Sequence, residues 1–405
     1  MKPSPIKLLL LIGICVTSIC NAQDTVRLMT YNILNYPYVA ATRADTLLVI
    51  IDDVLPDIFI VNELQNNTGA NTILNIALNN NGRSNYSKAI FYNGTDSDNM
   101  CFYDDTKFGL ASQKQIGTSI RDISEYVLYW KGNLPTTDTI FFNVYSVHLK
   151  ASSGATNEAQ RFAEAQILKA RLDLKGGPEN TFVGGDFNIY GDFEDAFTEI
   201  ISGGTTDLYD PINSAGNWHV NPAYADIHTQ ATGSINGGSG GGLDDRFDFF
   251  FVTDDVMNGD NGVKYIDNTY KAYGQDGNRY NSNLNVWPAN TVVSPAIASA
   301  LYNMSDHLPV IMDVVIDPSL NIEVTNKKDW KFFYSESRNE IDFNSSGIEQ
   351  QLRIQITDIL GKQVKQKEIK NVSDATLSTA DLKPGIYIAS AYSGLMHYSI
   401  KFLVR

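Results

Sequence analysis

Four short segments of this 405-residue chain place acids, amides or a histidine at the ends of hydrophobic runs. Ser305-Asp306-His307 leads into the largely apolar run Leu308 to Val315, and Gly184-Gly185-Asp186-Phe187-Asn188 follows Thr181-Phe182-Val183. Upstream lie Val61-Asn62-Glu63, after Ile58-Phe59-Ile60, and Thr30-Tyr31-Asn32-Ile33-Leu34. Carboxylate and amide oxygens of this kind suit a hard divalent cation, and a histidine beside them can move a proton. Hydrolysis of a phosphate ester requires that combination.

Each residue also has a plainer reading. Asn32 alone suits a turn or cap, and Gly-Asp-Phe-Asn alone suits a turn. Glu63 follows a buried run, so it is either salt-bridged or a ligand. His148 ends the run Phe141 to Val147, where a lone histidine is more often structural. Asp248 opens Phe249-Phe250-Phe251-Val252, an apolar setting where an unpaired charge is costly. It therefore needs a partner, and His307 is the one expected: a carboxylate there would fix the imidazole tautomer and raise its basicity. Their joint presence is what points to chemistry.

The elements that must position these groups follow from periodicity. Strands are predicted over Asp24 to Leu34, Ile58 to Val61, and at 99–103, 125–130, 139–147, 181–185, 247–252 and 308–315. Thr42 is placed as the cap of a helix whose apolar face is Leu47, Ile50, Ile51 and Val54, stopped at Pro56. A second helix spans 156–174, with Ala159, Phe162, Ala163, Ile167 and Ala170 on its apolar face. Strands mixed with helices imply layered α/β packing. Gly233 to Gly242 reads as a surface loop, because its spacing matches neither the dinucleotide nor the P-loop pattern; residues 262–300 read as long loops.

Bulk properties bound the rest. Hydrophobic content of 43% with 11% aromatics supports folded cores, and the length implies two units. Residues 1–22 read as a removable signal: Lys2 and Lys7 precede the run Leu8 to Val16, and Cys20-Asn21-Ala22 ends in a small residue. No run reaches transmembrane length, and both early cysteines follow isoleucine, which does not suit lipid attachment. Losing that segment would move the formal charge from −15 to −17 and leave Cys101 without a partner, so no disulfide framework is expected. Such acidity repels nucleic acid and anionic membrane at long range, although a few arginines beside a cation can still hold a phosphate.

After Asp317 the composition changes to short alternating strands and turns. Leu352-Arg353-Ile354-Gln355-Ile356 alternates, Asp358 to Lys362 reads as a hairpin turn, and Leu382-Lys383-Pro384-Gly385 is a type II turn before Ile386-Tyr387-Ile388. The expected organisation is a signal over 1–22, a catalytic unit over 23–317, a linker over 318–328 and a small all-β domain over 329–405.

In the order Asn32, Glu63, His148, Asp186-Phe187-Asn188, Asp248 and Ser305-Asp306-His307, residues 24–317 resemble the endonuclease/exonuclease/phosphatase superfamily. The resemblance implies the deoxyribonuclease I-like fold, a four-layer α/β sandwich. It implies Mg²⁺, with Mn²⁺ or Ca²⁺ as alternatives, held mainly by Glu63 with Asn32 and Asp306. His307, held by Asp248, would act in acid/base catalysis; Asp186 would orient or deprotonate the attacking water, and Asn188 would hold a phosphate oxygen. His148 matches the second histidine of the deoxyribonuclease I and sphingomyelinase branches, with Asp98 as a loosely placed partner. Arg121 falls where some members bind substrate. The usual Gln-Glu pair reads Asn62-Glu63 here, which should alter the cation's surroundings more than the cation.

The tail resembles the C-terminal sorting domain of type IX secretion cargo. The resemblance is carried by Ile356-Thr357-Asp358-Ile359-Leu360-Gly361-Lys362, Leu382 to Tyr387 and Ile400 to Arg405. It implies an immunoglobulin-like sandwich, contact with the secretion machinery, and release or surface attachment after outer-membrane export. A generic immunoglobulin-like adhesion module is the alternative. The expected activity is that of a monomeric extracellular nuclease acting on DNA or RNA. A sphingomyelinase-like phosphoesterase, for which Val286-Trp287-Pro288-Ala289 is the suggestive stretch, and a non-catalytic surface binding protein are the alternatives.

Overall fold

The computed structural model describes residues 24–132, 139–316, 330–335, 338–358, 362–393 and 396–404. The expected signal over 1–22, the linker over 318–328, the turn residues 359–361 and Arg405 lie outside them. The elements run β1 (Asp24–Tyr36), α1 (Arg43–Val54), β2 (Ile58–Leu64), α2 (Asn67–Thr72), β3 (Tyr86–Lys88), β4 (Asp98–Asp104), β5 (Phe108–Ile116), β6 (Ile123–Trp130) and β7 (Phe141–His148). They continue with α3 (Ala155–Leu174), β8 (Thr181–Asp186), α4 (Asp195–Ser202), β9 (Asp248–Val252), α5 (Asp254–Asn258), β10 (Val263–Tyr265), β11 (Lys271–Ala272), α6 (Pro295–Met304) and β12 (Val310–Ile316).

One sheet has the order β10-β12-β1-β2-β4-β3, with β11 beside β12; the other has the order β5-β6-β7-β8-β9. Each is antiparallel except for one central parallel pair, β1 with β2 and β7 with β8. Side-chain alternation decides how the sheets meet. Phe142, Val144, Phe182, Phe250 and Val252 share one core with β1, β2, β4, β12, α1 and α6. Their odd-numbered neighbours Tyr145, Val147, Val183, Phe249 and Phe251 share another with α3 and α4. The sheets therefore pack face to face with helices outside both, a four-layer α/β sandwich. Among the described residues no helix is long and apolar enough to cross a membrane. Cys101 is buried in β4, and burial pushes its thiol pKa up, away from reactivity.

The helix α3 spans the predicted residues, and Phe162 and Ile167 pack half-buried against the core as expected, but the inward face is centred elsewhere. Ala159, Ala163 and Ala170 are exposed, while Arg161, Glu164, Leu168, Lys169 and Leu172 are buried. The buried charges are bonded: Arg161 pairs with Glu194, donating through Nε and Nη2 at 2.7 and 2.9 Å, while Lys169 donates to the Ile200 carbonyl at 3.1 Å and Glu164 accepts the Lys150 N–H at 2.9 Å. Hydrophobic periodicity cannot register a face that includes hydrogen-bonded charges. Arg161 also holds the Lys150 and Ser152 carbonyls, so it clamps the segment leaving His148. Glu194→Ala would strand a fully buried guanidinium, at a cost of roughly 3–5 kcal/mol. Denaturant unfolding of the variant should show that loss of stability.

The tail comprises β13 (Trp330–Ser335), β14 (Glu340–Asp358), β15 (Gln363–Ser378), β16 (Gly385–Ser393) and β17 (Met396–Val404). All its pairings are antiparallel. A register shift between Asn344 and Glu349 breaks the long β14–β15 ladder. Phe332, Ile341, Phe343, Ile354, Ala389 and Phe402 share its core, in an all-β sandwich.

Candidate active site

Three of the proposed groups form a row across one sheet edge. His148 ends β7, Asp186 ends β8 and Asp248 begins β9, and the register pairs His148 with Asp186 and Asp186 with Asp248. All three have the parity that faces the other sheet. The glycines before Asp186 make this approach feasible. Gly185 has φ +142°, and a Cβ there would lie 1.9 Å from the Val147 carbonyl oxygen.

The other sheet delivers Asn32 from β1 and Glu63 from β2. Glu63 has φ +61°, left-handed for a residue with a side chain, and Leu34 and Asn35 both have φ +46°. Each such residue costs on the order of 1 kcal/mol, and outliers of this kind gather at functional sites. The distortion aims the carboxylate: the Asn35 N–H donates to Glu63 Oε2 at 2.9 Å, and Asn32 Nδ2 donates to Oε1 at 3.1 Å.

His307 closes the group from the turn before β12. Its Nδ1 lies 2.7 Å from Asp248 Oδ2, the partnership expected from sequence, and its Nε2 is 3.6 Å from Asp186 Oδ2. Asp186 Oδ2 also accepts from Asn32 Nδ2 at 3.0 Å and lies 3.5 Å from His148 Nε2. Ser305 Oγ donates to the Asn32 carbonyl at 2.6 Å and accepts the His307 N–H at 3.2 Å, tying the turn before β12 to β1 within one sheet.

Electrostatics set the two histidines apart. Burial opposes charge on His307, but Asp248 and Asp186 outweigh it and hold the pKa well above the usual imidazole value. Burial, with Arg121 and His307 nearby, holds His148 well below that value. The carboxylates thus favour the charged form of His307, while burial favours the neutral form of His148, a contrast that suits separate acid and base roles. Burial raises Asp186 to about 7; His307 opposes the shift, and Asp248 and Glu63 add to it.

The donor set fits a hard cation. Glu63, Asp186, Asp248 and Asp306 converge here, yet among the described residues no lysine or arginine forms an ion pair with any of them. Asp248 Oδ1 and His148 Nδ1 are buried without hydrogen-bond partners. Such a concentration of negative charge is costly unless a positive ion joins it. One ligand atom each from Asp186, Asp248 and His307 also falls within 4.8 Å of the others. We read that trio as a proton-handling cluster, because His307 Nδ1 is already committed to Asp248. Glu63, with its side chain 17% exposed, is the better-placed cation ligand.

Other predicted residues are placed differently from expectation. Asn32 turns its amide nitrogen to Glu63 and Asp186 while its Oδ1 accepts from the Leu34 N–H, so in this arrangement it orients carboxylates. Asp306 Oδ2 accepts from the Ser239 N–H at 2.7 Å and from Gln230 Nε2 at 3.3 Å. Asp98 accepts from the Gly94 N–H and makes no hydrogen bond to His148. Arg121 pairs with Asp96 at 2.9 Å and donates to the Leu149 carbonyl, which also accepts from Asn188 Nδ2. That shared carbonyl brings Arg121 and Asn188 to the same side of His148. Asn62 accepts from the Asp186 N–H and donates to Asn99, Ser146 and the Val147 carbonyl, a supporting position one layer back.

Sequence reading missed Gln230. Its Nε2 lies 2.6 Å from His307 Nε2, and its backbone bridges both His307 and Asp245. Nothing in its neighbourhood, Thr229-Gln230-Ala231, marks it. The Gly233–Gly242 loop, read as plain surface, supplies the Ser239 N–H to Asp306.

The shifts carry a pH dependence. Asp186 and His307 both have folded pKa values above their unfolded ones, so each stabilises the fold at low pH. That contribution is lost as pH rises through the folded values. Protein in chelator should therefore melt at lower temperature at about pH 8.5 than at about pH 6.5, while added Mg²⁺ should raise the melting temperature more at the higher pH. Differential scanning fluorimetry across that window checks both signs.

Residues 335–405 match the family described as the secretion system C-terminal sorting domain. The chain is thus exported by the type IX route, to be secreted or held at the cell surface. Among solved structures it is similar to the human Nocturnin catalytic domain with bound sulfate, at 16% identity over 72% of this chain and 97% of that one, with a TM-score of 0.44. It is also similar to an endonuclease/exonuclease/phosphatase family protein from Bacteroides thetaiotaomicron, at 14% identity over 73% and 99% of the chains, with a TM-score of 0.47. D. rerio TDP2 complexed with single strand DNA product is similar at 14% identity over 72% and 99%, with a TM-score of 0.47. No curated protein matches the sequence.

Proposed function

We propose that residues 23–317 form an exported, divalent-metal-dependent phosphodiesterase whose substrate is nucleic acid. The observation that carries this reading is the convergence of His148, Asp186, Asp248, His307 and Glu63 from separate segments, with no arginine or lysine among the described residues paired to the carboxylates. Glu63 and Asp306 would hold the ion, Mg²⁺ above all, and Asn32 would orient Glu63. When bound, a cation of this kind polarises a phosphoryl oxygen and offsets charge on the leaving oxygen.

The chain's own groups supply the rest. Asp186 orients the attacking water and takes its proton once ionised. His307, charged and fixed by Asp248, donates a hydrogen bond from Nε2 to the phosphoryl group or a proton to the leaving oxygen. His148 is neutral and buried, so it serves as a hydrogen-bonding partner for Asp186. Asn188 and Arg121 line the same side and bind phosphate oxygens. The test is hydrolysis of plasmid DNA, RNA, sphingomyelin and phosphomonoesters, each with Mg²⁺ and with chelator. Cleavage of neither nucleic acid would overturn the substrate assignment, and activity indifferent to chelator would overturn the metal.

One observation favours the lipid alternative. Trp287 is 90% exposed, on a segment whose Val286 and Pro288 carbonyls are held at 3.0 and 2.7 Å by buried Arg279. A rigidly presented tryptophan suits an interface between water and lipid. Trp287→Ser should abolish co-sedimentation with phosphatidylcholine–sphingomyelin vesicles if lipid is the substrate and should leave nucleic acid cleavage intact if it is not.

A further inference from the structure

A second imidazole–carboxylate pair stands beside the proposed active site, and none of the steps above uses it. His219 Nδ1 lies 2.6 Å from Asp245 Oδ1, nearly the spacing of His307 and Asp248. The settings differ in access: the His219 side chain is 43% exposed and that of Asp245 only 13%. The ring packs edge-on against Tyr190, with centroids 4.9 Å apart, and Tyr190 in turn packs against Phe247, the residue before Asp248. The backbone holds the same region from both sides, with the His219 N–H donating to the Tyr190 carbonyl and the Val220 N–H to the Asp244 carbonyl. His219 is thus a fixed ring, backed by a largely buried acid, with Nε2 making no hydrogen bond among the described residues.

Its place relative to the reacting groups is set by Gln230. That residue forms backbone bridges to Asp245 on one side and to His307 on the other. Two strand spacings therefore separate Asp245 from His307, about 10 Å. His307 also acts on the Asp245 carboxyl through space, while burial raises that carboxyl to about 6. A group at this distance is too far to touch the phosphate being cleaved, but it can reach another phosphate along the same strand.

We infer that His219, held by Asp245 and flanked by Tyr190, is a binding subsite for a second phosphate of a polynucleotide, next to the one hydrolysed. The exposed ring presents Nε2 to a phosphate, and the half-buried Tyr190 packs beside it within reach of a sugar or base. With a formal charge of −15 the surface as a whole repels a polyanion, so a local phosphate contact matters. This inference rests on the phosphodiesterase reading above and names the class of substrate, a chain of phosphates rather than a small monoester.

The test compares wild type, His219→Ala and His219→Lys on a short single-stranded oligonucleotide and on bis-p-nitrophenyl phosphate, which has one phosphate. Losing one charged hydrogen bond should lower kcat/KM on the oligonucleotide by about tenfold more than on the small diester. Fluorescence anisotropy of the oligonucleotide in chelator should show the alanine variant's log–log salt slope reduced by about 0.7, the share of one phosphate contact on a single strand. His219→Lys should restore the slope. Equal losses on both substrates, or an unchanged slope, would overturn the subsite. Wild type that hydrolyses the small diester but neither binds nor cleaves the oligonucleotide would also overturn it, with the hydrolase standing. Oligonucleotide binding with the expected slope change, but no hydrolysis of either substrate, would sink the proposed activity and leave the subsite.

Discussion

His307→Ala is expected to lower turnover by roughly 10²- to 10⁴-fold, the range for loss of an acid/base group. The structure gives two reasons for so large an effect. Nε2 lies 3.6 Å from Asp186 Oδ2 and 2.6 Å from Gln230 Nε2, and Nδ1 is locked to Asp248 at 2.7 Å, so the ring is fixed between the two carboxylates. Removing it also leaves Asp248 fully buried with both oxygens unpaired, since Oδ1 has no partner even now. Asp248→Asn should reproduce much of the loss while keeping the shape, because an amide cannot stabilise the charged ring. The measurement is kcat on the best nucleic acid substrate, with circular dichroism to confirm the fold. Near-wild-type turnover in folded His307→Ala protein would end the assignment.

Glu63→Gln should be nearly as damaging by a different route. The substitution keeps size and one of the two hydrogen bonds that Glu63 accepts from Asn32 and Asn35, but removes a full charge from the proposed cation ligand. Activity at saturating substrate should fall by at least about 100-fold, and excess Mg²⁺ should recover part of it, since a weakened ligand lowers occupancy before it lowers chemistry. Isothermal titration with Mg²⁺ separates the explanations. Unchanged affinity alongside lost activity would move the ion to another set of carboxylates, with Asp186 and Asp306 first. The left-handed backbone at Glu63 adds a second expectation: Glu63→Gly should relieve strain, so it should lose activity without losing stability.

Much of the candidate site was legible because each of its groups caps an apolar run. Glu63 after Ile58-Phe59-Ile60-Val61, Asp186 after Thr181 to Gly185, and Asp248 before three phenylalanines are all places where a charge needs a reason. The pairing of Asp248 with His307 followed from that need. Other features were hidden for physical reasons. Gln230 and His219 sit in irregular chain, where no periodicity singles them out, and their roles come from bridges to distant strands. The strand β5 is a polar sheet edge, so its sequence Phe-Gly-Leu-Ala-Ser-Gln-Lys-Gln-Ile carries little hydrophobic signal. The segment 262–300, read as loops, contains two short strands and the start of α6, whose cap Ser294 and first-turn Pro295 were overlooked. In α3 the inward face mixes Ala165, Leu168 and Leu172 with hydrogen-bonded Arg161, Glu164 and Lys169, charges that a hydrophobicity pattern assigns to water.

Asn32 and Glu63 arrive on one sheet, and His148, Asp186 and Asp248 on the other, so the catalyst is assembled across a seam. Ile60 and Phe250 meet in that seam, over the bare backbone of Gly184. Trimming either one would let the halves slide by a fraction of an ångström, too little to unfold the protein and enough to spoil proton transfer. Misalignment of the site would then be the first symptom of damage in this protein, well before melting.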